Sequence, residues 1–102
     1  MAGYGDELGV VDFIRLMKAF LDGSIGARNY KRSYFDLAKK RVNIPNEEVS
    51  RITQRAYGDA DDYEPETELR QANRQWIGEP ELRERVAKSL RELEALGYQS
   101  ER

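Results

Sequence analysis

The sequence predicts an all-α protein, one antiparallel bundle of four helices with an acidic loop between the third and fourth. Three observations carry that expectation. Apolar residues recur at helical spacing in four separate stretches, and no stretch of useful length alternates as a strand does. Glycine or proline stands where each periodic run ends. Short connections between four helices favour an up-and-down arrangement, and residues 1–102 are expected to form a single domain around one core.

The first helix is expected over Glu7 to Leu21, where Leu8, Val11, Ile14, Met17, Phe20 and Leu21 share a face. Asp6 is placed to cap it, Glu7 suits the positive end of the dipole, and Gly23 ends it. Val10, Phe13 and Leu16 widen the stripe, so this helix should touch two neighbours. The second helix, Ala27 to Arg41, sets Tyr30, Tyr34, Leu37, Ala38 and Val42 at helical spacing and ends on Lys39, Lys40 and Arg41. Cations there complement the carbonyl end of the dipole, and without interleaved aromatics they do not make a nucleic-acid platform.

Pro45 and Asn46 break the pattern and open a third helix, with Asn46 as its cap and Glu47 and Glu48 in its first turn. Its apolar positions are Val49, Ile52, Ala56 and Tyr57, and Gly58 is placed to terminate it in a left-handed conformation. After the acidic loop, Trp76 and Ile77 should fold an apolar flap onto the core, with Arg70 and Arg74 on one side if a helical turn forms. Gly78 and Pro80 then start the last helix, whose face is Leu82, Val86, Leu90, Leu93 and Leu96 up to Gly97. Glu81 with Arg85, Glu84 with Lys88 and Lys88 with Glu92 lie four apart and read as a solvated face.

The loop is the chemically distinctive feature. From Asp59 to Glu68 it carries six carboxylates and no base, whereas the whole chain has 19 acids against 17 bases, a net of −2. Setting the six aside leaves 13 acids against 17 bases, so the excess of negative charge is local. Pro65 disfavours an ordinary helix interior there. Asp59 and Asp61 stand where a helix C-terminus disfavours anions, and residues that oppose a local rule are candidates for function.

Composition closes many alternatives. With 39% hydrophobic and 35% charged residues the chain has the balance of a globular domain. No Cys and no His removes disulfides, thiolate nucleophiles and the commonest general base and metal ligand. No apolar run is long enough to span a bilayer, and the opening residues lack the basic start and apolar stretch of a leader, so a cytoplasmic location is expected. An EF-hand reading starts with Asp59 and Asp61 and then fails, because Tyr63, Glu64 and Arg70 stand where a ligand, the turn glycine and the bidentate glutamate belong. Nothing deep or apolar accompanies the acids to make a glycosidase pair. No metal and no cofactor is therefore expected, and a carboxylate-based enzyme ranks below two binding functions.

Four segments, Phe20-Leu21-Asp22-Gly23-Ser24-Ile25, Tyr30 with Tyr34-Phe35-Asp36-Leu37, Asp59-Ala60-Asp61-Asp62-Tyr63-Glu64-Pro65 and Glu81-Leu82-Arg83-Glu84-Arg85-Val86, resemble in order and spacing the colicin D immunity protein family, the bacterial self-protective colicin-like immunity domains. The Asp-x-Asp-x-Tyr-x-Pro segment is the most specific part. Gly26, where the family usually has a capping Ser, and the basic run Lys39-Lys40-Arg41 depart from the pattern. The resemblance implies a small helical inhibitor, not an enzyme, that binds the C-terminal nuclease domain of a bacteriocin or contact-dependent-inhibition toxin. It further implies a one-to-one complex in which acids occupy a tRNase's basic cleft, without nucleic acid or membrane contact. On this reading the toxin-binding residues are Asp59, Asp61, Asp62, Tyr63, Glu64, Glu66 and Glu68, since carboxylates are plausible surrogates for RNA phosphates. Tyr63 has two readings, an anchor for the partner or an aromatic packed onto its own core. The alternative function is an acidic helical adaptor for some other basic protein.

Overall fold

The computed structural model describes residues 9–40 and 43–98. It is all-helical, with no strand among the described residues, and contains five helices where four were expected. These are α1 (Val10–Leu21), α2 (Ala27–Lys39), α3 (Glu47–Asp62), α4 (Thr67–Ala72) and α5 (Glu79–Ala95). The expected contributions of Asp6, Glu7, Leu8, Arg41 and Val42 fall outside the described residues.

The four longer helices close around one core. α1 packs on α2 and α5, and α3 packs on the same two. Along each of the α1–α2, α2–α3 and α3–α5 seams the contacts run in opposite chain directions. Phe20 meets Tyr30 where Phe13 meets Tyr34, Tyr34 bonds Thr53 where Lys31 reaches Tyr63, and Arg55 meets Ser89 where Asp59 meets Arg85. The centre is aromatic: Phe20 stacks on Tyr30 at 4.7 Å, and Tyr30 lies 5.8 Å from Tyr34. Leu82, Val86 and Leu93 close it from the α5 side, while Leu96 is exposed.

Local chemistry sets the helix ends. α1 begins at Val10 rather than Glu7, because Gly9 is extended and its amide donates to Asp12 Oδ2 at 2.7 Å. The Asp12 amide returns a bond to the Gly9 carbonyl at 3.0 Å, so Asp12 does the capping that was expected of Asp6. At the other end Gly23 has φ +88°, and the amides of Gly23 and Ser24 bond the Phe20 and Ala19 carbonyls. This is a Schellman closure, which favours glycine because a Cβ resists that φ. Arg83 of α5 completes the end, donating to the Phe20 and Leu21 carbonyls and lying 4.5 Å from the Phe20 ring centre.

α2 stops at Lys39, with Lys40 extended. Asn46 caps α3 as expected, accepting from the Val49 amide at 3.0 Å. Gly58 does not end α3, which runs a further turn to Asp62. The gain that outweighs a mid-helix glycine is the burial of Ala60 together with the contacts that Arg85 and Lys31 make to that extra turn, which offset the cost of burying Asp59. The acidic run is thus a helix end, a short connection and the start of α4, not a single loop. The flap forms in part. Ile77 is buried and pairs in an isolated parallel bridge with Tyr63, whereas Trp76 remains exposed at 36%.

Candidate acidic binding surface

The six acids of the run do not act alike, because α3's extra turn points two of them at α5. Arg85 lies between three carboxylates, with Nη1 at 3.2 Å from Asp59 Oδ1 and 3.8 Å from Asp62 Oδ2, and Nη2 at 2.7 Å from Glu81 Oε2. Asp59 is only 8% exposed, so an unpaired charge there would be costly and Arg85 removes that cost. Asp62 is less well compensated. Its burial, with Asp61 and Asp59 nearby, outweighs Arg85 and a hydrogen bond with the Gln75 side chain and pushes its carboxyl above the usual 3.8.

The α2 side supplies a second cation. Lys31 Nζ donates to the Tyr63 carbonyl at 3.0 Å and to the Asp61 carbonyl at 3.4 Å, the free acceptors at the C-terminus of α3. Two neighbouring helices therefore offset the unfavourable placement of acids at this end.

Beyond Asp62 the chain is held by backbone and by one arginine. The Ile77 amide donates to the Asp62 carbonyl at 2.8 Å, and the Glu64 amide donates to the Ile77 carbonyl at 2.9 Å. Arg70 of α4 reaches back to the Glu64 carbonyl at 2.6 Å and to Thr67 Oγ1 at 3.1 Å, and its guanidinium packs against Gly78. Tyr63 is 7% exposed, which favours the packing reading of this residue over the anchor reading.

What remains facing outward is narrower than the sequence candidates. Asp61, Glu66 and Glu68 are exposed, and none of their carboxylates has a cation or hydrogen-bond donor among the described residues. Glu64 is half-buried, and its Oε2 accepts only the Glu66 amide at 3.1 Å. Sequence reasoning missed Arg85 and Lys31 as the groups that organise this end. Arg85 was assigned only to its four-spaced pair with Glu81, which does form, while Glu92 makes its close contact with Arg55 of α3 at 2.6 Å and feels Lys88 at longer range. Pairing across helices leaves no periodic trace in a sequence.

Among the described residues no three His, Cys, Asp or Glu side chains converge to hold a metal ion, and no helix is long and apolar enough to cross a membrane. What the surface offers is a set of solvent-facing carboxylates spread over the end of α3, the connection after it and the start of α4, suited to recognising cations. No curated protein and no solved structure matches the chain. A sequence model for bacterial self-protective colicin-like immunity matches residues 8–93, which takes in α1 to α4 and α5 up to Leu93. The chain belongs to the bacterial self-protective colicin-like immunity family.

Proposed function

We propose that this chain is a bacteriocin immunity protein that neutralises, without catalysis, the C-terminal nuclease domain of a cognate bacterial toxin. The target is a tRNA-cleaving domain of a bacteriocin or of a contact-dependent-inhibition toxin, held one to one in the cytoplasm by a four-helix scaffold. The observation that carries this reading is the set of exposed carboxylates without partners among the described residues, Asp61, Glu66 and Glu68, beside Glu64 on a family scaffold. An RNA-cleaving site needs cations to hold phosphates, and carboxylates fill such a cleft in their place. Asp59 and Asp62 serve the same surface indirectly, through Arg85, and Tyr63 sets the path of the connection from within. No cofactor is needed.

Co-expression with the nuclease domain of the toxin encoded beside this chain tests the proposal. Survival, with a stable complex on gel filtration, is the expected result. Cell death with no complex would overturn it.

A further inference from the structure

The hollow beside the acidic end is built with both signs of charge. Its floor is Phe35, Tyr63 and Pro65, one wall is Arg28, Lys31 and Arg32 of α2, and the other is Glu64 and Glu66. It is an open depression of about 530 Å³, room for one or two side chains.

The walls do not neutralise each other, since no ion pair crosses the hollow among the described residues. Lys31 is committed to the two α3 carbonyls and lies 5.9 Å from the Phe35 ring centre, so it fixes the floor. Arg28 and Arg32, one turn apart and exposed, have no hydrogen bond or ion pair among the described residues. An inhibitor relying only on negative charge gains nothing from two free arginines beside its acids. Those arginines repel a basic cleft at long range.

We infer that this hollow receives a segment of the toxin carrying an apolar side chain flanked by a carboxylate and a base. The apolar group lies on Phe35, Tyr63 and Pro65, the carboxylate meets Arg28 and Arg32, and the base meets Glu64 and Glu66. This rests on the proposed toxin binding and deepens it by giving the surface a means of selection. Exposed acids alone suit any phosphate-binding cleft, whereas an ordered pair of opposite charges rejects partners that present the wrong sign at either wall. RNA is disfavoured as the occupant because Glu64 and Glu66 would face its phosphates.

The test turns on a sign. Arg28→Glu with Arg32→Glu makes the chain more acidic, so attraction of acids to a basic cleft alone predicts faster association and a tighter complex. The two-signed hollow predicts the reverse in lifetime: dissociation from the purified nuclease domain of the adjacent toxin faster by about tenfold or more. Lys39→Glu with Lys40→Glu, at the opposite end of α2, alters the charge equally and should leave dissociation unchanged. Arg28→Ala with Arg32→Ala, gentler on folding, should also accelerate dissociation. The unmodified chain is measured first, and its failure to bind would overturn the functional proposal itself. Binding by the unmodified chain, with unchanged or slower dissociation in both arginine variants and an unchanged melting temperature, would overturn the hollow alone.

Discussion

Tyr30 and Tyr34 lie one turn apart on α2, both inaccessible to solvent, yet only one hydroxyl is satisfied. Tyr34 donates to the Thr53 carbonyl at 2.7 Å, while the Tyr30 hydroxyl has no hydrogen-bond partner among the described residues. Burial, with the Asp59 carboxylate adding to it, pushes the Tyr30 phenol up, so it stays protonated and unpaired. Replacing each by Phe should therefore act with opposite sign in denaturant melts: Tyr30→Phe gains about 1 kcal/mol and Tyr34→Phe loses about 1 kcal/mol. Asp62 gives a pH test. Its folded pKa lies above the usual 3.8, so its charge opposes folding above the folded pKa, and this penalty vanishes below 3.8. Asp62→Asn is expected to raise the melting temperature at pH 7, with the gain fading as pH falls through the folded pKa. A loss at pH 7 that faded in acid would mean that Arg85, not burial, dominates there. Neither the orphaned hydroxyl nor the poorly compensated carboxylate was legible in the sequence, because both depend on neighbours far along the chain.

Helix cores were more legible than helix ends. The spacing of Ile14, Met17 and Phe20, of Tyr30 and Tyr34, and of Leu82, Val86 and Leu93 placed those residues in the interior, where they are found. Asn46 was legible as a cap because its bond is local, with the Val49 amide three residues on. Gly58 misled because the gain that carries α3 past it comes from α2 and α5, through Lys31 and Arg85. The two glycines differ in a measurable way. Gly58 is helical, and a methyl group added at its Cα would meet nothing within 4 Å, so Gly58→Ala should stabilise the protein by about 0.5–1 kcal/mol. Gly23, also spacious but at φ +88°, should lose about 1 kcal/mol or more as Ala. Paired thermal melts decide it, and stabilisation of both would mean that Gly23 does not hold the left-handed closure.

The whole chain carries a net of −2 and places six acids in the one run from Asp59 to Glu68, a distribution that steers a basic partner more than it tightens a finished contact. The location of the acids was evident from the sequence; which of them remain unpaired was not, since Arg85 takes up Asp59 and Asp62 from another helix. In the proposed complex Asp61, Glu66 and Glu68 meet the toxin's cations, and stopped-flow association with the adjacent toxin's nuclease domain between 0.1 M and 1 M salt, as the screening length falls from about 10 Å to about 3 Å, tests this. Association should slow steeply with salt in the unmodified chain, with the slope clearly flattened in the Asp61→Asn, Glu66→Gln, Glu68→Gln variant. Association indifferent to salt, or a slope that survives the triple change, would contradict it.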